Sequence, residues 1–217
     1  MKATTISRQT ARMLLESGAV LLRPDAPFRF ASGLLSPIYC DNRLLMSYPR
    51  QRRRVTLWFA RVLRDQAIPA DVIAGTATAG IPHAAWLAAE LRLPMVYVRN
   101  RAKGHGKERL IEGLPPVGQR VAVVEDLVTT GGSSLGSVAA LRQAGAFVEH
   151  VLAIFSYGLP KAEEAFGQAG VQLHPLSTLA VLLDVAVARG HLTPNARHTV
   201  ADWATDPAAW SQAQEKP

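Results

Sequence analysis

The sequence predicts an α/β fold, a parallel sheet flanked by helices on both faces. Three observations carry that expectation. From about residue 70 onward, strand-length apolar runs alternate with helical stripes. Strand segments such as Val121-Ala-Val-Val124 are apolar without interruption, as strands buried on both faces are. The segments between them place apolar residues at i, i+3 and i+4, the spacing of one buried helical face. Strands joined through helices run parallel, so the alternation specifies the sheet.

The elements follow in order. Ala11, Met13, Leu14 and Leu15 form the apolar cluster of a first helix, which Gly18 stops. Pro24, Pro27 and Pro37 then punctuate short strands, one of which carries Tyr39 and Cys40. A long helix spans 49–66, with Val55, Trp58, Phe59, Val62 and Leu63 on one stripe. Pro49 suits its first turn and Ser47 is the expected cap. Trp58 and Trp86 are expected in the core. A strand at 71–75 leads through Thr76-Ala-Thr-Ala-Gly80 into a helix bearing Ile81, Ala84, Ala85, Ala88 and Ala89. Strands follow at 94–98 and 121–124. Leu135, Val138 and Ala139 open a helix that ends near Gly145, and a strand runs from Phe147 to Phe155. Helices at 160–169 and 178–189 complete the pattern, the last with Leu179, Leu182, Leu183, Ala186 and Val187 on one face and Gly190 at its end. From Trp203 the chain is polar and contains Pro207 and Pro217, so 203–217 is expected as a partly ordered tail after a single domain at 1–202.

Composition narrows the function classes. Charged residues are 19% of 217, too few for a charge-rich disordered chain. No apolar run approaches the ~20 residues that span a bilayer. The first residues lack the apolar stretch of a secretory leader, and the expected location is cytoplasmic. A single cysteine, Cys40, closes no intrachain disulfide and builds no cysteine-rich zinc site. The net charge of +7 points to anionic partners, either nucleic acid or small phosphates.

The most informative stretch is Val123-Val-Glu-Asp-Leu-Val-Thr-Thr-Gly-Gly-Ser-Ser134. A buried strand ends at Glu125 and Asp126. Leu127, Val128, Thr129, Thr130, Gly131, Gly132 and Ser133 carry the chain into a helix. Such a turn gathers backbone amides and hydroxyls at a helix N-terminus, which is an anion site. The glycines follow neither the P-loop nor the dinucleotide spacing. Two carboxylates beside a phosphate would repel it, unless they face sugar hydroxyls or a bridging Mg²⁺. The ligand therefore carries both a phosphate and a diol, as a sugar phosphate or nucleotide does.

A second stretch is basic. Arg99, Arg101, Lys103, His105, Lys107 and Arg109 occupy every second position between two strands, with Gly104, Gly106 and Gly113 to let the segment move. A basic flap leaving the carboxyl end of a sheet strand suits closure over a polyanion. The Thr76, Ala77, Thr78 turn also joins a strand to a helix and can hold an anionic group or be a plain small-residue turn. Arg50, Arg52, Arg53 and Arg54 read as a solvated helix face. His83, His150, His174, His191 and His198 lack metal-ligand spacing, and Cys40 reads as a buried small residue.

These stretches together resemble the type I phosphoribosyltransferases. Val123 to Ser134 is similar to the family's phosphoribosyl-pyrophosphate (PRPP) motif. Phe30-Ala-Ser-Gly-Leu-Leu-Ser-Pro-Ile-Tyr-Cys-Asp-Asn-Arg43, Gly75-Thr-Ala-Thr-Ala-Gly-Ile-Pro-His83 and the Lys103-Gly-His-Gly106 segment resemble the orotate-specific branch. The similarity runs from about Ser7 to Gly190. It implies a small hood, mainly 1–45 and 171–195, over a core at 46–170. It implies a transfer of ribose phosphate from PRPP to orotate, in pyrimidine synthesis, with Mg²⁺ carried by PRPP rather than held directly by the protein. Glu125 and Asp126 would hold the ribose hydroxyls, and Thr129 to Ser133 the phosphate. Arg99, Lys103 and His105 would take the pyrophosphate, with Thr76, Ala77 and Thr78 forming a pyrophosphate loop. Thr129 and Tyr39 would contact orotate, and Lys103, His105 and Asp126 would be catalytic. A homodimer with shared active sites is implied, with neither nucleic acid nor membrane as partner. Many relatives place an Arg on orotate where this chain has Tyr157. A sister enzyme acting on a purine base and a nucleic-acid-binding regulator of the same fold are the competing readings.

Overall fold

The computed structural model describes residues 5–30, 32–99 and 110–214. An N-terminal helix, α1 (Thr5–Glu16), leads into four short strands: β1 (Val20–Leu22), β2 (Phe28–Arg29), β3 (Leu35–Ser36) and β4 (Ile38–Cys40). β1 pairs antiparallel with β4, and β2 with β3, so these strands stand apart from the main sheet as two small hairpin-like layers. A 3-10 helix at Asn42–Ser47 then joins α2 (Pro49–Asp65).

The remaining chain winds the sheet. In order come β5 (Val72–Thr76), α3 (Gly80–Leu91), β6 (Met95–Val98), β7 (Ile111–Glu112), β8 (Arg120–Val128), α4 (Gly132–Gln143), β9 (Phe147–Ser156), α5 (Pro160–Gln168), β10 (Gln172–Thr178) and α6 (Leu179–Ala188). The six strands lie in the order β10-β9-β8-β5-β6-β7. All pairs are parallel except β6–β7. The expected parallel sheet is therefore present, with a two-residue antiparallel edge strand that is too short to leave a sequence pattern.

Burial on both faces explains the uninterrupted apolar strands. In β8, Val121 and Val123 pack into one cluster with Val138, Leu141 and Phe166 of α4 and α5. Ala122 and Val124 point the other way, into a cluster with Leu14, Phe59, Leu87 and Leu182 of α1, α2, α3 and α6. The start of the sheet is clamped by Asp71. Its carboxylate takes Arg120 Nη2 at 2.7 Å, Arg120 Nε at 2.9 Å and the Arg120 amide at 2.9 Å, which fixes β8 beside β5.

Three expectations are corrected. Ser47 does not cap α2: it belongs to the preceding 3-10 helix, and α2 begins after Tyr48 without a side-chain cap. Trp58 and Trp86 are half-buried rather than core; Trp86 offers its face to the Arg52 guanidinium 5.0 Å away. The region from Trp203 is helical through Gln214, within α7 (Pro194–Thr205) and α8 (Pro207–Gln214). Pro207, expected within a partly ordered tail, opens α8, as Pro194 opens α7. Thr193 accepts from the Ala196 amide ahead of Pro194, and Asp206 accepts from the Ala208 and Ala209 amides ahead of Pro207. Trp203 is 2% exposed and packs edge-on against Tyr157, and Ser211 Oγ accepts from the Leu35 amide at 2.9 Å. Among the described residues no helix is long and apolar enough to cross a membrane.

Candidate active site

The site starts where β8 ends. Glu125 is buried and Asp126 half-buried, one after the other on the strand. Glu125 Oε1 accepts from the Asp126 amide at 3.1 Å, and its Oε2 accepts from Ser134 Oγ at 3.1 Å. Burial, and then the negative charge of Asp126, push the Glu125 carboxyl up to about 8. Burial also raises Asp126, against the hydrogen bonds that favour its charged form. Two carboxyls held this close resist ionising together. A ligand that brings hydroxyl donors or positive charge relieves that resistance. Among the described residues no group of three or more His, Cys, Asp or Glu converges. Glu125 and Asp126 are the two carboxylates that meet at this end of β8 among the described residues.

The anion nest lies one turn further on. Gly131 sits at φ +84° immediately before α4, and its carbonyl accepts the Leu135 amide at 2.9 Å. A Cβ at Gly131 would come within 2.7 Å of Phe166 Cε2, so the loop lies tightly on α5. Thr129, Thr130, Gly132 and Ser133 are exposed. The first amides of α4 have no intrahelical acceptor, and the helix dipole adds positive potential there. Val128 buries its side chain and Leu127 half-buries its own, so what these two present to a ligand is backbone.

The Thr76–Thr78 turn is brought to the same end. Thr76 closes β5 fully buried, and its Oγ1 has no hydrogen-bond partner among the described residues. The Ala77 amide donates to the Val98 carbonyl at 2.9 Å, and the Ala77–Thr78 peptide is cis. Gly80 opens α3 so close to β8 that a Cβ there would collide with the Val124 carbonyl oxygen, one residue before Glu125. Only glycine lets this helix start lie beside the acid pair.

The basic segment leaves from the neighbouring strand. The Arg99 amide donates to the Leu110 carbonyl at 2.9 Å, and Arg99 Nη1 stands 3.4 Å from Glu112 Oε1. Arg99 therefore sits at the base of the β6–β7 connection. Lys103 and His105 lie outside the described residues.

The segment after the N-terminal strands reaches the acid pair through Asn42. Tyr39, on β4, is 37% exposed, with its ring 5.6 Å from Phe28 and 6.4 Å from Phe30. Arg43 is held by Asp41 through Nε at 2.7 Å and Nη2 at 2.9 Å. Tyr157 is 5% exposed, edge-on to Phe155 and Trp203, and burial raises its phenol well above the ordinary value. Tyr157, where the family resemblance led to the expectation of a base-binding contact, is packed in apolar surroundings. Two residues that the sequence reading did not single out complete the picture. Ser134 holds Glu125, and Asn42 donates from Nδ2 to the Asp126 carbonyl at 2.7 Å. Asn42 lay inside the Tyr-Cys-Asp-Asn-Arg motif, but nothing in its neighbours signals a contact 84 residues away.

Likeness to known proteins decides the family. A phosphoribosyl transferase domain profile matches residues 48–155. Orotate phosphoribosyltransferase of Listeria monocytogenes is 46% identical over 208 residues, 96% of this chain and 100% of that one. The enzyme of the same name from Bacillus caldolyticus is 48% identical over 200 residues, 92% of this chain and 97% of its own. The chain belongs to the orotate phosphoribosyltransferases. Solved structures agree. The orotate phosphoribosyltransferase of Aeropyrum pernix superposes with TM-score 0.71 at 36% identity, covering 80% of this chain and 96% of that one. The Mycobacterium tuberculosis orotate phosphoribosyltransferase, solved in complex with PRPP, superposes with TM-score 0.63 at 25% identity, over 82% and 98%. As an orotate phosphoribosyltransferase the chain is a pentosyltransferase, and the purine-base and regulator readings fall away.

Proposed function

We propose that this chain converts orotate and PRPP into orotidine monophosphate and pyrophosphate, a step of pyrimidine synthesis. The Glu125–Asp126 pair, buried at Glu125 and half-buried at Asp126, beside the Thr129–Ser133 turn carries the reading. The pair accepts hydrogen bonds from the two ribose hydroxyls, while the nest and the N-terminus of α4 hold the 5-phosphate. Thr129 and Tyr39 line the place for orotate. The Thr76–Thr78 turn and the Arg99, Lys103 and His105 cations take the pyrophosphate.

The chemistry asks little of a nucleophile. The bond from ribose to pyrophosphate breaks as the base approaches, and positive charge develops on the sugar while negative charge collects on the leaving group. Fixed positive groups aimed at that leaving group lower the barrier. Lys103 supplies charge there, and His105 supplies charge or a proton. Asp126 lies close to the sugar and favours its developing positive charge.

Mg²⁺ fits this donor set. Two carboxylates, neither sufficient alone, suit an ion that keeps waters and arrives on substrate phosphates. When bound, it would neutralise pyrophosphate charge and tie that group to the sugar diol. Glu125 and Asp126 would face it through the diol rather than cage it. The resemblance supports a homodimer in which the basic segment serves the neighbouring site, a hood made of 1–45 and 171–195 over the core at 46–170, and a cytoplasmic location. The test is orotate-dependent release of pyrophosphate from PRPP, with and without Mg²⁺. Release with guanine or adenine but not orotate would overturn the reading.

A further inference from the structure

We propose that Asn42 is a positioning residue, which locks the N-terminal strand layer onto the acid pair and so sets the spacing between the base and ribose ends of the site. The inference rests on the proposed function and deepens it.

Asn42 has no solvent exposure. It stands at the first turn of the 3-10 helix, two residues after Cys40 and three after Tyr39. Its amide is used at both ends. Nδ2 donates to the Asp126 carbonyl at 2.7 Å, and Oδ1 accepts from Cys40 Sγ at 3.4 Å. The Asp126 carbonyl can only accept, so it fixes which way the amide faces, and the thiol, a weak donor, meets the oxygen. Burial, with Asp126 and Asp41 nearby, raises the Cys40 thiol well above its ordinary value, so it stays a protonated donor. The lone cysteine thus supports the orientation that the Asp126 carbonyl imposes.

The consequence is geometric. The Asp126 carbonyl belongs to the peptide that follows the acid pair and leads toward the nest. Tyr39 is on β4, which ends at Cys40, two residues before Asn42. One side chain thus joins the segment that carries Tyr39 to the backbone that bears the sugar-binding acids, across 84 residues of sequence. Arg43, adjacent in the chain, is occupied by Asp41 and leaves this tie to Asn42. A transfer between two bound substrates depends on their separation, and sub-ångström errors are costly.

The experiment compares the full-length parent with Asn42→Ala, Asn42→Asp, Cys40→Ala and Cys40→Ser. Turnover per folded molecule, KM for each substrate and calorimetric affinity for PRPP are measured, with folding read by near-UV circular dichroism. Asn42→Ala is expected to lower kcat at least tenfold while KM for PRPP changes less than threefold, because the residue touches neither substrate. Asn42→Asp keeps the size but faces a carbonyl with an acceptor and adds charge beside Asp126. It is expected to move the pH dependence of PRPP binding upward by at least half a unit. Cys40→Ser, which keeps a donor to the amide, should retain more turnover than Cys40→Ala. If Asn42→Ala does not fold, the pH shift of Asn42→Asp and the order of the Cys40 variants decide. A kcat within twofold of the parent in Asn42→Ala overturns the inference, as does a pH profile of Asn42→Asp that coincides with the parent's. A parent that releases no pyrophosphate with orotate overturns the functional reading instead.

Discussion

Ser134 reaches back from the first turn of α4 to donate to Glu125 at the end of β8, Oγ to Oε2, at 3.1 Å. The bond ties the start of α4 to the acid pair at the end of β8. Ser134 is 1% exposed. Ser134→Ala should cost about 1–3 kcal/mol, the price of stranding a buried acceptor. Its hydrogen bond favours the charged form of Glu125. The variant should therefore bind PRPP with a pH dependence displaced upward, measured by calorimetry across pH 6 to 9.

The acid pair also gives stability a pH dependence of known sign. The Glu125 carboxyl is raised to about 8 in the folded protein, above its unfolded value. Between those values the folded state holds a proton that the unfolded state has lost. Stability from this group therefore falls as pH rises through that window. Thermal melts of the ligand-free protein from pH 6.5 to 8 should show the decline, and Glu125→Gln should flatten it. An unchanged slope in Glu125→Gln would remove the pair as its source.

His83 works in the opposite direction. It is buried on α3, edge-on to Trp86 at 5.2 Å, and neither ring nitrogen has a partner among the described residues. Burial lowers it to about 4. Below its unfolded value the unfolded chain takes up a proton that the folded one refuses, so stability is lost as pH falls from about 6.5 toward 4. His83→Leu removes an unsatisfied polar ring, and should raise the melting temperature at pH 5 more than at pH 8. An equal change at both values would count against the titration.

Gly131 and Gly80 test the two close approaches. Gly131→Ala places a Cβ against Phe166 at a positive φ and should cost about 1–3 kcal/mol. The nest lies on that backbone, so PRPP affinity should fall with it. Gly80→Ala drives a methyl into the Val124 carbonyl, and α3 can avoid it only by moving off β8. Its denaturation midpoint should drop further than that of Gly131→Ala, because a backbone oxygen yields less readily than a ring edge.

Lys103→Ala should reduce turnover far more than PRPP affinity, since a leaving-group contact strengthens as charge develops. Arg53→Ala, on the exposed face of α2, is the control. A comparable loss in both, or loss only in Arg53→Ala, would sink the assignment of the basic segment.

Much of this was legible in the sequence because two regular signals coincided. Uninterrupted strands such as Val121 to Val124 announced burial on both faces, and the acids followed by Thr-Thr-Gly-Gly marked the end of β8 and the start of α4. What stayed hidden depended on partners distant in sequence. Asn42 looks like any polar turn residue until Asp126 is beside it. Tyr157 stands in a family position associated with substrate, yet Phe155 and Trp203 draw it into the core. The prolines after 193 carry opposite meanings inside a helix and at its start, and only the caps at Thr193 and Asp206 distinguish the two.

The hydroxyl of Ser211 meets an amide at Leu35 that precedes it by 176 residues. On the ribosome, that early strand is made long before its closing partner emerges. The β2–β3 pair, whose Phe28 ring lies against Tyr39, therefore receives this fastening only after α8 has been made, and a nascent chain halted before α8 leaves it unlatched.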